Sequence, residues 1–179
     1  VKGFSVLLNP QGVATFEFPH LVNLVEKNQF DTMYHEHYSY LSLTSVKAIF
    51  ESNNLSIFDV EELPIHGGSL RVYAQCSDSG EQPVGSNVGD LLVREEEIGL
   101  KTVDYYAGFK EKAEEIKLSL LEFLIAAKRE GKQVVGYGAA AKGNTMINYA
   151  GVGPDLISYV VDKNPAKQNM YLPGSRIPI

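Results

Sequence analysis

"QVVGYGAAAKGNTMINYAGVGPDLISYVVDKNP", residues 133–165, decides the fold class. Val134 and Val135 open a short β-favouring run that enters a glycine turn, "AKGNTMINYA" then reads as a helix, and "LISYVVDKNP" as a second strand ending at Asp162. Strand, glycine turn, helix and strand make the βαβ unit of a parallel sheet. Inside it, Gly136-x-Gly138-x-x-Ala141 fits the Gly/Ala form of the dinucleotide fingerprint, with Asp162 near the place of the ribose-binding acid. Glycines let a backbone approach phosphate, and a helix N-terminus adds aligned N–H dipoles. Close packing of a helix on a strand calls for the same small residues, so the local pattern leaves both roles open. A phosphate-binding P-loop is excluded, because Lys142 precedes Gly143 and no Lys–Ser/Thr pair follows.

The residues before this unit also alternate between strands and helices. "GVATFEF" (Gly12–Phe18) is a short strand between turn residues and a proline, and "SLTSVKAIFESNNL" is a helix. Ser42 or Thr44 is placed to cap that helix, with Val46, Ile49 and Phe50 at helical spacing. "SIFDVEEL" and "SLRVYAQC" are two more strands, and the short "PIHGG" between them predicts an antiparallel pair. Residues 77–90, rich in Ser, Gly, Asp and Pro, read as a linker. One long helix is expected from about Leu91 to Arg129, its buried stripe formed by Ala113, Ile116, Leu120, Phe123 and Ala127, and "REGK" stops it. The expectation is therefore an α/β chain with domains at 1–76 and 91–179.

The 179 residues carry a net charge of −6, with 44% hydrophobic and 21% charged residues. That balance is ordinary for a globular protein and argues against a nucleic-acid binder. The single cysteine, Cys76, rules out a disulfide framework and a multi-cysteine metal site, and fits a reducing cytoplasm. No apolar run approaches a membrane span and no signal peptide opens the chain. Both ends look cut, so a longer protein is expected.

"FDTMYHEHYSYLSL" (Phe30–Leu43) holds two histidines, a glutamate and three tyrosines, and reads as the entry to a helix. Imidazole titrates near neutrality and suits proton transfer. On a helix Tyr34, His37 and Tyr38 would share a face; on a strand His35 and His37 would. The segment lacks the spacing of a helical HExxH zinc site, and no metal is expected. An aromatic-rich helix start with solvated polar groups is the plain alternative. "PIHGGSLRVY" places His66, Ser69 and Arg71 around two glycines, either as ligand donors or as a tight turn beside an outward-facing charge. His20 reads as a loop residue, Asp162 alternatively as a strand cap, and Cys76 as a buried small residue.

Taken in order, "FDTMYHEHYSYLSL", "FDVEELPIHGGSLRVYAQ", "VVGYGAAAKGNTMINY" and "YVVDKNPAKQNMYLPGSRIPI" resemble the C-terminal half of sugar C-methyltransferases. These enzymes use S-adenosylmethionine and act on nucleotide-linked keto-deoxyhexoses. The resemblance runs from Gly12 to Ile179 and is weakest over the linker and long helix. It implies a zinc domain, a class I methyltransferase domain and a Rossmann-like C-terminal domain. Residues 1–76 correspond to the last strands of the methyltransferase sheet, and 91–179 to the C-terminal domain. The zinc cysteines and the glycine-rich methyl-donor turn are absent from these residues. The chain alone is therefore expected neither to hold S-adenosylmethionine well nor to turn over. By the same resemblance His37 is the general base, and Tyr34 and Glu36 fix sugar hydroxyls or the histidine. His66, Ser69 and Arg71 help close the substrate cleft, while Lys142 and Asn144 meet the diphosphate or nucleotide. Two alternatives stand beside this: a nucleotide-sugar- or NAD(P)-binding module without methyl transfer, and a non-enzymatic scaffold.

Overall fold

The computed structural model describes residues 1–179. The chain is mixed α/β, with a small antiparallel sheet and a small parallel one. It divides into two compact units, residues 1–29 with 39–107, and residues 30–38 with 108–179. No helix is long and apolar enough to cross a membrane.

The first unit runs α1 (Lys2–Leu7), β1 (Val13–Pro19), α2 (Leu21–Glu26), α3 (Leu43–Glu51), β2 (Leu55–Leu63), β3 (Ser69–Cys76) and α4 (Ser86–Glu97). β3 lies between β1 and β2, antiparallel to both. Alternation along β3 buries Leu70, Val72 and Ala74 on one face, where Leu43, Val46 and Phe50 of α3 join Leu55, Ile57 and Val60 of β2. The register slips between Ile57 and Asp59, which leaves Phe58 as the extra residue of a bulge. The carbonyl of Phe58 accepts the N–H of Gly85, and Asn87 donates to the Val60 carbonyl at 2.7 Å. The bulge thus seats the start of α4. The stretch 77–90 and all of α4 belong to this unit. Cys76 is half-buried rather than fully enclosed.

The expected helix over 43–51 forms, and Ser42 caps it in a reciprocal box with Ser45. Val46 and Phe50 point inward, while Ile49 is exposed. His20 lies between β1 and α2, as expected of a loop residue, but it is not a solvated one. Its side chain is 1% exposed, and its Nε2–H donates to Glu95 Oε1 at 2.9 Å, where Glu95 is itself 1% exposed. The same carboxylate accepts the N–H of Leu43 at 2.8 Å, the N–H of Thr44 at 2.7 Å and the Thr44 hydroxyl at 2.6 Å.

The second unit contains α5 (Phe109–Arg129), β4 (Gly136–Tyr137), α6 (Ala141–Ala150) and β5 (Val160–Val161). β4 and β5 pair in parallel around α6, the expected βαβ unit, although each strand is only two residues long. Leu124 of α5, Ala150, Val152, Ile157, Val160, Leu172 and Ile177 form its core. The single helix expected from Leu91 to Arg129 is two helices. Gly99 and Gly108 sit at φ +75° and +80°, a left-handed backbone that ends α4 and precedes α5, with a 3-10 turn at Asp104–Tyr106 between them. The buried stripe of α5 is also shifted. Ala113, Leu124 and Ala127 are buried with Leu120 partly so, whereas Ile116 is 39% and Phe123 61% exposed. Lys117 takes the place expected for Ile116, its Nζ lying 5.5 Å from the ring centroid of Tyr149.

Burial pushes the Glu95 carboxyl up, but the bonds from His20, Thr44 and Leu43 outweigh it and hold the group below the usual carboxylate range. A depressed acid stabilises the fold fully above its unfolded value and loses that contribution as pH falls through its folded value. Glu95→Ala is expected to cost on the order of 3–5 kcal/mol, because it strands buried donors from three residues. Urea unfolding of wild type and variant checks this, and the gap between them should narrow as pH falls below the ordinary carboxylate range.

Candidate functional site

Phe30–Thr32 is a 3-10 turn with Phe30 and Thr32 buried, and its carbonyls are used at once. Phe30 O accepts the N–H of Met33, and Thr32 O that of Tyr34 at 3.1 Å. A tight turn follows, closed by the N–H of His37 on the carbonyl of Tyr34 at 3.0 Å. The stretch leads into α3, which begins at Leu43, but is itself neither helix nor strand between Met33 and Tyr40. The turn aims the His37 ring back at the segment's start, with Nδ1 at 2.8 Å from Thr32 O. A carbonyl can only accept, so Nδ1 carries a proton, and in the neutral ring the lone pair is then on Nε2. The Tyr34 ring packs on the His37 ring at 4.3 Å between centroids, tilted by 38°. His35 and Glu36 face solvent 4.0 Å apart. What orients His37 is thus a backbone oxygen, a group that no side-chain pattern reveals.

In the first unit, His66 sits in the 3-10 turn Ile65–Gly67 at φ +53°, a left-handed conformation uncommon outside glycine. The Gly67 carbonyl accepts Lys27 Nζ at 3.0 Å and Gln29 Nε2 at 2.9 Å. Ser69 is buried, its hydroxyl donating to the Ile65 carbonyl at 3.3 Å. Arg71 stands between Glu17 and Glu61 on the neighbouring strands, 2.9 Å and 3.4 Å away. Hydrogen bonding to Glu17 and Tyr73 raises its already high pKa. His66 thus lies in the turn before the central strand, Ser69 is buried at that strand's start, and Arg71 projects from it between two glutamates.

The glycine turn of the second unit is held from within. A side chain at Gly136 would meet Val160 Cγ2 at 2.8 Å, so this glycine is what lets β4 lie against β5. Asp162 Oδ2 accepts the N–H of Ala139 and Oδ1 that of Asn164, each at 2.8 Å. Lys167 donates to the Ala139 carbonyl at 2.7 Å and lies 3.6 Å from Asp162. The backbone N–H groups of Asn164 and Ala139, with help from Lys167, hold the Asp162 carboxyl below the ordinary range. Each of its oxygens accepts one backbone N–H of the turn, which favours the strand-cap reading of Asp162. Lys142 and Asn144 stand in the first turn and a half of α6, where Asn144 Oδ1 is buried without a protein hydrogen-bond partner. Tyr137, Gly138, Val161, Asp162 and Lys163 line an open hollow of about 330 Å³ beside the turn.

No three His, Cys, Asp or Glu side chains converge in a metal-binding arrangement.

The family described as the C-methyltransferase C-terminal domain matches residues 64–179, and the chain belongs to it. The C-methyltransferase NovU of Streptomyces niveus is 38% identical over 179 residues, all of this chain and 42% of that relative. The chain thus spans less than half the length of the relative it matches.

Asp162→Ala is expected to loosen the glycine turn while leaving the first unit untouched. Amide hydrogen exchange should report this, with the Ala139 and Asn164 N–H groups protected in wild type and fast in the variant. Equal protection in both proteins would remove the capping role.

Proposed function

We propose that this chain belongs to an S-adenosylmethionine-dependent enzyme that methylates a carbon next to the ketone of a nucleotide-linked deoxysugar, with His37 as general base. The fixed tautomer of His37, Nδ1–H on the Thr32 carbonyl, is the observation that carries the assignment.

A C–H bond beside a ketone is a weak acid, and its electrons can be stored as an enolate. In this reading His37 Nε2 takes the proton and the C–H pair moves into the enolate. The resulting carbon nucleophile then takes the methyl group that the sulfonium donor supplies. A positioned base contributes about 10²–10⁴-fold to such a step. The tautomer matters because only a nitrogen with a lone pair can accept the proton. Tyr34 packs against the imidazole and offers its hydroxyl, with Glu36, to the sugar. Lys142 and Asn144 are proposed to meet the diphosphate or nucleotide. His66, Ser69 and Arg71 enter by motif position as part of the cleft wall. The first unit is taken to hold the end of a methyltransferase sheet, expected over 1–76, and the second the Rossmann-like domain expected over 91–179, with 77–90 and α4 falling in the first unit. The donor site, and the zinc domain expected from the resemblance, concern residues beyond those described. Cytoplasmic location goes with the soluble nucleotide-sugar substrate.

The nicotinamide-binding alternative gains no support from the site. Its ribose would need an acid at the end of the second strand, and the backbone N–H groups that Asp162 accepts give that acid a structural role without a nucleotide.

In the full-length protein, His37→Gln is expected to lower exchange of the substrate's acidic hydrogen with solvent by at least about 10²-fold. Methyl transfer should fall with it. Nuclear magnetic resonance of a nucleotide-linked keto-sugar incubated in heavy water measures the exchange, and an unchanged rate would remove His37 from the role.

A further inference from the structure

We infer that Tyr149 of α6 is a positioning residue for His37, acting through Phe30 and the carbonyl of Thr32. The inference rests on the base assignment above and extends it to a residue more than a hundred positions along the chain. The lone pair of His37 is correctly placed only while Nδ1–H stays on the Thr32 carbonyl. That carbonyl ends a three-residue 3-10 turn, which is too short to hold its own geometry.

Burial holds the turn instead. Thr32 is 2% exposed, Phe30 is enclosed, and the turn packs on α6. The contact is aromatic: the Phe30 and Tyr149 rings lie 4.9 Å apart at 57°, a geometry in which ring edges and faces attract. Tyr149 is itself steadied by α5, through the ammonium of Lys117 over its ring. A chain of contacts therefore runs from Lys117 to Tyr149, Phe30, Thr32 and His37, all within the second unit. Each link is a ring face, a ring edge or a carbonyl, and none uses the Tyr149 hydroxyl. Removing the ring should free the turn, let the imidazole rotate off the carbonyl and populate the other tautomer, whose Nε2 carries a proton and cannot act as base.

The test uses the full-length enzyme with Tyr149→Ala, Tyr149→Phe and His37→Gln. In Tyr149→Ala, hydrogen exchange at the substrate carbon should fall about 10- to 100-fold at unchanged KM, the scale expected for a displaced catalytic group. Nitrogen-15 spectra of histidine-labelled protein should show His37 as the Nδ1–H tautomer in wild type and Tyr149→Phe, and as a mixture in Tyr149→Ala. Tyr149→Phe should keep the wild-type rate. Should Tyr149→Ala not fold, Phe30→Leu removes the same ring pair with less loss of volume and carries the same expectations. An unchanged exchange rate per folded enzyme, or a slower rate with the tautomer intact, overturns the inference. Failure of the base assignment is recognised separately: normal exchange in His37→Gln ends both, whereas a silent Tyr149→Ala beside an inactive His37→Gln ends the positioning role alone.

Discussion

The first unit depends on one buried carboxylate. The N-terminal turn of any α-helix leaves four N–H groups without partners inside the helix. In α3 every one is met: Ser42 and Ser45 bond each other's amides, and Glu95 takes those of Leu43 and Thr44. An anion at a helix N-terminus is favoured by the helix dipole, and here the dipole and the amides face it together. The remaining demand of the charge is met by the imidazole of His20 and the hydroxyl of Thr44. Burying a lone carboxylate would be prohibitive; burying one with four donors is not. The geometry then fixes more than α3. The His20 N–H reaches the carbonyl of Gly68, and Leu21 donates to Leu41. One acid on α4 thereby ties together the exit of β1, the start of α3 and the loop before β3.

The second unit solves a similar problem with Asp162. Its carboxylate also accepts two backbone N–H groups, and it also lies below its ordinary pKa. The difference is place. Glu95 is enclosed, whereas Asp162 is at the end of a parallel strand, where open α/β sheets bind ligands. An acid at that position suggests a ribose contact, yet here it closes the turn. The glycines of "GYGAAAKG" have the same double meaning, and Gly136 is required by the approach of β4 to Val160. A motif built from small residues and an acid reports close packing as readily as a nucleotide.

Much of the fold was legible because it rests on local signals. β-Favouring runs between turn residues marked the three strands, the short link at Pro64–Gly68 marked two of them as antiparallel, Ser42 was one of two cap candidates for α3, and glycines between strand and helix marked the βαβ unit. Misreadings came where the deciding contact is distant or the pattern is degenerate. Helical spacing continues through Gly99 and Gly108, so the break between α4 and α5 had only two glycines to announce it. Stripes at 113, 116, 120, 123 and at 113, 117, 120, 124 both fit a helical period; packing chose the second and left Phe123 outside. His20 follows "EFP" with no local reason to be buried, and Glu95 sits in an acidic run that resembles a solvated face. Only a tertiary contact over 75 positions brings them together. The site divides in the same way. Its residue types stood out, while the carbonyl of Thr32 and the ring of Tyr149 carry no signature at all.

Between Phe30 and Ser42 the backbone is largely irregular, and this places the Thr32 carbonyl within reach of the His37 ring. In a continuous α-helix the Thr32 carbonyl would lie along the axis and be occupied by the N–H of residue 36. An imidazole at 37 would then have no backbone oxygen to fix its tautomer, and its orientation would depend on another side chain. The 3-10 turn followed by a second tight turn leaves that carbonyl open to the ring. Regular structure gives way where the proposed chemistry sits, as it commonly does at sites that carry function. Irregular backbone of this kind has little stability of its own. It must borrow rigidity from a neighbouring element, and α6, with Tyr149 against Phe30, is the element that supplies it.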